Sequence, residues 1–356
     1  MKGNEVIAEA AIRCGCDAYF GYPITPQSEV METLMARCPW EETGMVVLQA
    51  ESEVASVNML YGAASSGKKV MTSSSSPGIS LMSEGISYLA GAELPAVIVN
   101  VQRGGPGLGT IQPSQADYFQ ATKGGGHGDF HLLVLAPASV QEMNDFVDLG
   151  FNLAFKYRNP VLILTDGVIG QMMEKVELSE YKPRWTDEQI EELNGSWAAT
   201  GKKKNRERYI KTSLELVAEK QEKFNEKLQA KYKRMANEDV RYEMVQCDDA
   251  EYIIVAFGVS ARLSLKAIDI LREKGIKVGL LRPITLFPFP NKIIAELADR
   301  VKGFFSVEMN SGQMFEDLKL SVNGKTNVYH FGRMGGVIAN PAEIVEAIES
   351  KIIGGK

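Results

Sequence analysis

The hexapeptide Gly21-Tyr22-Pro23-Ile24-Thr25-Pro26 ends an apolar run with two prolines that hold a threonine between them. Each proline fixes its own φ and turns the preceding residue away from helical geometry, so Thr25 occupies a stiff segment from which a hydroxyl can be aimed. The segment reads either as a structural turn or as a loop that holds a small substrate. Gln49-Ala50-Glu51-Ser52-Glu53 supplies two carboxylates at the opening of a helix. Either one, kept from water, can accept a hydrogen bond from a heterocyclic N–H; either is equally an ordinary charge that stabilises a helix N-terminus. Arg103 opens the run Arg103-Gly104-Gly105-Pro106-Gly107-Leu108-Gly109, where a planar guanidinium can take a carboxylate in two-point geometry or form a surface ion pair.

Weaker candidates lie elsewhere. Gly124-Gly125-Gly126-His127-Gly128 can admit a cofactor or a partner loop close to backbone, with His127 as a proton donor, or it is an interface loop with an exposed histidine. His131 and His330 have no stronger claim, and Asp166-Gly167 either meets a ligand or ends a strand. The glycines after Arg103 do not form GxGxxG before a helix, and no Walker motif occurs, so neither nicotinamide nor ATP has a local fingerprint. Cys14, Cys16, Cys38 and Cys247 lack the spacing of a cluster or zinc site, and they read as reduced thiols in a chain that holds no metal.

The elements that must position these residues follow a βαβ rhythm up to about residue 170. Helices are predicted over 4–14, 28–34, 53–64, 81–89 and 140–157, with Ser28 or Thr25 capping the second. Strands are predicted over 18–20, 46–49, 69–72, 97–101, 132–135 and 161–165. The serine run from Ser73 to Gly78 reads as a turn. The three leading segments each fall near a strand end, where open parallel sheets place their ligands. Small residues at Ala55, Gly62, Ala63 and Ala64 would let the helix opened by Glu53 approach neighbouring backbone. Residues 171–246 carry little strand signal and a helical spread over 210–235, as a connector or partner-packing surface; the basic run Lys202-Lys203-Lys204 reads as an exposed loop before it reads as a phosphate site. A second α/β unit occupies 247–356, with strands at 251–258, 277–281, 304–307 and 327–331 and helices at 261–274 and 292–301.

With 356 residues and 45% hydrophobic content, the chain can supply a core for two or three domains, which excludes disorder. A formal charge of −6 gives no basic field for a phosphate backbone, so nucleic acid is not an expected partner. Polar residues interrupt every apolar run before membrane-spanning length, and no signal-type segment opens the sequence, so a cytoplasmic location without membrane contact is expected.

The ordered set Lys2-Gly3-Asn4-Glu5, Tyr22-Pro23-Ile24-Thr25-Pro26, Gln49 to Glu53, Arg103 to Gly107, Gly124 to Asp129, and Leu281-Arg282-Pro283-Ile284-Thr285-Leu286-Phe287-Pro288 resembles the alpha subunits of 2-oxoacid:ferredoxin oxidoreductases. The resemblance covers nearly the whole chain. It implies an α/β protein with a pyrimidine-type thiamine diphosphate domain (1–170), a helical insert (171–246) and a transketolase C-terminal-like domain (247–356). It further implies that Thr25 and Arg103 meet the 2-oxoacid, that Glu53 rather than Glu51 faces the aminopyrimidine of thiamine diphosphate, and that Tyr22, Pro23 and Ile24 line the cofactor. The implied reaction is coenzyme A-dependent oxidative decarboxylation, with branched-chain acids such as 3-methyl-2-oxobutanoate the expected substrates and electrons passed to ferredoxin. Alternatives are the 2-oxoglutarate branch of the family and a noncatalytic assembly or regulatory subunit. The chain lacks the Gly-Asp-Gly…Asn signature and ferredoxin-type cysteines. A beta subunit holding the diphosphate and magnesium, a gamma subunit and a small iron–sulfur delta subunit are therefore implied, with thiamine diphosphate at an intersubunit site.

Overall fold

The computed structural model describes residues 1–202 and 209–353; Lys203 and Lys204 of the basic run lie outside the described residues. Two sheets organise the chain. The larger has seven strands: β1 (Ala18–Gly21), β2 (Val46–Gln49), β3 (Val70–Ser74), β4 (Ala96–Gln102), β5 (Leu133–Leu135), β6 (Pro160–Asp166) and, from far along the sequence, β10 (Thr285–Phe287). Their order is β10-β5-β6-β4-β3-β1-β2, all parallel except for β10, which runs antiparallel to β5. The smaller sheet has the order β12-β11-β8-β9-β7, built from β7 (Tyr242–Val245), β8 (Tyr252–Val255), β9 (Val278–Pro283), β11 (Gly303–Glu308) and β12 (Asn327–Gly332).

Central strands β3, β4 and β6 are buried along their whole length. Helices cover both faces of such a sheet, which is why Val97-Ile98-Val99 and Val161-Leu162-Ile163-Leu164 read as continuous apolar runs rather than alternating ones. No described helix is long and apolar enough to cross a membrane.

Several predicted boundaries move. The serine run is not a turn: β3 continues through Ser74, Ser75 stands at the N-cap, and a helix runs from Ser76 to Gly91 with Pro77 in its first turn, where a missing N–H costs nothing. The helix Ser28–Arg37 has Gln27 at its N-cap position, with neither Ser28 nor Thr25 capping it; the Gln27 side chain instead donates to Tyr22 O and accepts from the Ser73 hydroxyl. In the connecting region the long helix spans Ala218–Glu238 and begins eight residues later than its apolar spread suggests, a shorter helix forms at Asp187–Asn194, and β7 closes the region as an edge strand.

The two sheets share more than a linker. Arg282 on β9 donates to both oxygens of Glu142, at 2.6 and 2.8 Å, and to Glu243 on β7 at 2.9 Å. Gln115 is buried between the units: it donates to Phe257 O, accepts from the Ser260 hydroxyl and Met309 N–H, and its own carbonyl accepts from Asn310. Leaving such groups unpaired costs about 1 to 3 kcal/mol each, so these bonds fix the contact as well as fill it.

Candidate functional site

Parallel strands β1, β2, β3, β4 and β6 all point their C-terminal ends to one edge of the large sheet, and the segments singled out by chemistry leave from those ends. β1 lies between β2 and β3, so the chain crosses from β1 to β2 and then back past β1 to β3. That reversal opens a crevice at the strand ends, the place where open α/β sheets bind ligands. Tyr22 to Pro26 leaves β1 at one side of it and Ser75 to Gly78 leaves β3 at the other.

The loop after β1 is anchored from beneath. Asn4 donates to Pro26 O at 2.7 Å and to the Glu29 carboxylate at 2.9 Å. Gly3 lets the first helix reach the chain after β6, since a Cβ there would stand 2.2 Å from Ile169 O. The motif Lys2-Gly3-Asn4-Glu5 is thus a support for the Thr25 loop. Within the loop Pro23 and Thr25 are exposed, and Tyr22 and Ile24 are half-buried, so these residues form an accessible wall.

Arg103 is brought directly to this loop. Its Nη1 donates to Thr25 O at 3.0 Å and its Nη2 to Leu108 O at 3.0 Å, while Nε is buried without a partner among the described residues. A guanidinium has five N–H donors, so two bonds hold it in place and three remain. The side chain is turned inward as an organised donor, with no carboxylate of the described residues paired to it; it is not a surface ion pair.

Glu53 begins the helix Glu53–Ser65 after β2, capped by Ser52, whose hydroxyl accepts from Ala55 N–H. The Glu53 side chain is buried, and no described residue donates a hydrogen bond to its carboxylate, whereas Glu51 is exposed. The space it occupies depends on a glycine of another helix. A Cβ on Gly78 would lie 2.8 Å from Glu53 Oε1, 2.9 Å from Glu53 Cγ and 2.0 Å from Ser74 Oγ. Gly62, expected to permit close approach, has nothing within 4 Å of its Cβ position and is exposed; the close contacts come from Gly78 and from Gly85, whose Cβ would meet Val57 at 2.4 Å. Around this edge the hydroxyls of Ser74 and Ser75 and the Asn100 Oδ1 are also buried without partners among the described residues. A buried carboxylate with no donor, beside unpaired hydroxyls, fits a ligand that brings its own ring nitrogens. No hydrogen bond joins Glu53 to Thr25 or Arg103 among the described residues, so the two clusters are neighbours on one sheet edge and not one network.

The remaining candidates separate from this edge. His127 is exposed, in a loop whose Gly126 packs against Ser83 O of the helix Ser76–Gly91. His131 stacks on Phe287 at 4.1 Å and binds Thr122 O, with burial pushing its pKa down. His330 lies on β12 in the smaller sheet. Asp166 ends β6 and caps the short helix after it, accepting from Val168 and Ile169 N–H, while its second oxygen faces Val259 N–H of the smaller unit at 3.4 Å. Burial pushes its pKa up to about 6. Cys14, Cys16 and Cys247 are buried thiols, and the described residues contain no cluster that could hold a metal ion. Sequence reading missed Gln27, Ser76, Gly78 and Asp117. Only Ser76 and Gly78 lay in a segment the sequence drew attention to, the run from Ser73 to Gly78, which it read as a turn.

Residues 9–246 match the family described as "Pyruvate flavodoxin/ferredoxin oxidoreductase, thiamine diP-bdg", and residues 250–344 match "Pyruvate:ferredoxin oxidoreductase core domain II". A split-gene transketolase shares the fold, with a TM-score of 0.64 at 13% identity over 99% of this chain and 98% of that one. The fold and the family models define a subunit of the thiamine diphosphate-dependent α/β enzymes, with a transketolase C-terminal-like unit. Within that class, the chain belongs to the 2-oxoacid:ferredoxin oxidoreductase family, as an alpha subunit. The ketoisovalerate oxidoreductase subunit VorB of Methanothermobacter thermautotrophicus is 50% identical over 349 residues, 98% of this chain and 96% of that protein. The 2-oxoglutarate synthase subunit KorA of Archaeoglobus fulgidus is 34% identical over 355 residues, 99% of each. Among solved structures, the 2-oxoglutarate:ferredoxin oxidoreductase from Magnetococcus marinus, with 2-oxoglutarate, coenzyme A and succinyl-CoA bound, superposes with a TM-score of 0.84 at 28% identity; the match spans 99% of this chain and 65% of that one.

Proposed function

We propose that the chain is the alpha subunit of a branched-chain 2-oxoacid:ferredoxin oxidoreductase, a cytoplasmic enzyme that converts acids such as 3-methyl-2-oxobutanoate and coenzyme A to the acyl-CoA and carbon dioxide while reducing ferredoxin. The buried carboxylate of Glu53, without a donor among the described residues, carries this reading: it can accept a hydrogen bond from a ring nitrogen of thiamine diphosphate, and Gly78 leaves it room to do so. Thiamine diphosphate supplies, when bound, the reactive carbon and the electron sink for decarboxylation. Arg103 offers its remaining N–H groups to the 2-oxoacid carboxylate, the exposed Thr25 hydroxyl bonds the same substrate, and Tyr22, Pro23 and Ile24 form the adjoining wall. A beta subunit would hold the diphosphate and magnesium, a delta subunit the iron–sulfur clusters, and a gamma subunit would complete the assembly.

The branched-chain preference is supported by the 50% identity to a ketoisovalerate oxidoreductase subunit, against 34% to a 2-oxoglutarate synthase subunit. A second reading, 2-oxoglutarate as substrate, is favoured by the close superposition on a 2-oxoglutarate-bound enzyme. The two part in one experiment, in which the assembled complex reduces ferredoxin with 3-methyl-2-oxobutanoate, 2-oxoglutarate or pyruvate at subsaturating concentration. The highest kcat/KM is expected for 3-methyl-2-oxobutanoate; a higher value for 2-oxoglutarate would transfer the assignment to the second reading.

A further inference from the structure

The loop that begins at Arg103 returns to the large sheet at Asp117, and its two ends are tied together. Asp117 stands at the N-cap of the helix Tyr118–Thr122, where an aspartate ordinarily accepts from the first turn, yet its side chain makes no capping bond. The carboxylate turns away from its own helix: Oδ2 accepts the Ser76 hydroxyl at 2.6 Å and Asn100 Nδ2 at 2.8 Å, while the Asp117 N–H donates to Gln102 Oε1 at 3.1 Å. Ser76 Oγ in turn accepts the main-chain N–H of Arg103 at 3.0 Å. It also stands 3.2 Å from Arg103 O, but a hydroxyl has one proton, and the short contact to a carboxylate claims it. Polarity therefore runs one way, from Arg103 N–H to Ser76 to Asp117. Burial raises the Asp117 pKa, and the bonds from Ser76 and Asn100 oppose that shift, which is the behaviour of a carboxylate withdrawn from water to serve fixed donors.

We propose that Asp117 is a positioning residue that holds the Arg103 main chain through the Ser76 hydroxyl, and so aims the guanidinium that receives the 2-oxoacid carboxylate. This rests on the reading of Arg103 given above. The main chain at Arg103 follows β4 and is bridged in antiparallel fashion to Pro113, and the glycine-rich loop between them closes on itself through Gly104 N–H to Gln112 O and Thr110 N–H to Gly104 O. Ser76 and Asp117 add a side-chain hold on the Arg103 N–H itself, from the helix Ser76–Gly91 and from the far end of the loop. Neither needs to touch substrate to affect its binding, because a small rotation of the Arg103 backbone swings the end of a long side chain away from Thr25.

The test is steady-state kinetics of the assembled complex with 3-methyl-2-oxobutanoate, using Arg103→Ala, Ser76→Ala, Asp117→Ala and Asp117→Asn, alone and with each of the last three combined with Arg103→Ala. Ser76→Ala and Asp117→Ala are each expected to raise the KM about tenfold with kcat within about threefold, and Asp117→Asn, which keeps an acceptor oxygen, to stay close to wild type. Added to Arg103→Ala, neither alanine variant is expected to raise the KM further, because the group they aim is gone. An unchanged KM in both alanine variants, beside a raised KM in Arg103→Ala, overturns the positioning role and leaves the reading of Arg103 intact. Full multiplication of the losses in the double variants also overturns it. A KM left unchanged by Arg103→Ala itself removes the reading, and the positioning role with it. Should Asp117→Ala fail to assemble, Ser76→Ala and its double variant decide the matter.

Discussion

Glu51 and Glu53 stand two residues apart, and the helix start sends them to opposite environments, one into solvent and one against Gly78. A carboxylate in water is screened by it, whereas a buried one with no donor among the described residues can act on whatever enters beside it. Glu53→Gln in the assembled enzyme keeps the shape and removes the charge. Exchange of the thiamine C2 proton, followed by quenching and NMR, is therefore expected to slow markedly in Glu53→Gln and to stay near wild type in Glu51→Gln; equal exchange in wild type and Glu53→Gln at matched cofactor occupancy would reject the role. Gly78→Ala sharpens the argument from the other side. In an open helix the change would gain stability by about 1 kcal/mol, but here the new methyl meets Ser74 Oγ at 2.0 Å and Glu53 Oε1 at 2.8 Å. Overpacking of that kind costs about 1 to 3 kcal/mol. A lower melting temperature and a slower C2 exchange are expected together; a variant as stable and as active as wild type would show that Glu53 has room to move. The sequence drew attention to Thr25 and Arg103 through their proline and glycine neighbours, but it left Glu51 and Glu53 alike, and only the resemblance preferred Glu53. The sequence concealed Gly78 and Asp117 because their roles depend on residues 25 and 41 positions away.

Element boundaries were legible where a single strand or helix decides its own pattern, as for β2 and the helix Val140–Tyr157. They were not legible where tertiary pairing overrides composition. A run of four serines has poor strand propensity, but β3 is buried and Ser73 and Ser74 pair with Val99 and Asn100 of β4, so they remain in the ladder. β10 lies between Pro283 and Pro288, a context that argues against a strand, and is tolerated because it is a three-residue edge. At the other end of β6, Asp166 joins the two units, and its charge is worked against by its burial. Its folded pKa of about 6 exceeds the ordinary 3.8, so the folded state holds the proton more tightly than the unfolded one. The favourable contribution is present in full below about pH 4 and is lost as pH rises through about 6. Asp166→Asn mimics the protonated form at every pH. Its stability relative to wild type, from urea unfolding, is expected to improve between pH 4.5 and 7 by on the order of 1 to 3 kcal/mol, at about 1.4 kcal/mol per unit. A pH-independent difference would show that Asp166 does not titrate in this window.

At the scale of the whole molecule, the division into an early and a late unit hides an exchange of strands and side chains. β10 belongs by sequence to the late part and pairs with β5 of the large sheet, while Arg282, Gln115 and Asp166 all make bonds across the contact. An interface with buried charged and amide groups fixed on both sides does not open one half at a time without stranding those groups, each at a cost of about 1 to 3 kcal/mol. The chain is therefore expected to unfold as one cooperative unit. Its tryptophans allow a direct check, since Trp40, Trp185 and Trp197 all precede the smaller sheet's strands. Their fluorescence reports the early unit, whereas far-UV circular dichroism reports both. Urea transitions followed by the two signals are expected to coincide in midpoint and slope, and Gln115→Ala, which leaves Ser260, Met309 N–H and Phe257 O without their partner, is expected to lower the common midpoint. Two separated transitions in the wild type would mean that the bonds across the contact are too weak to couple the units. In that case Gln115→Ala would move only one signal, and the strand exchange at β10 would be a local edge contact without consequence for the stability of the large sheet.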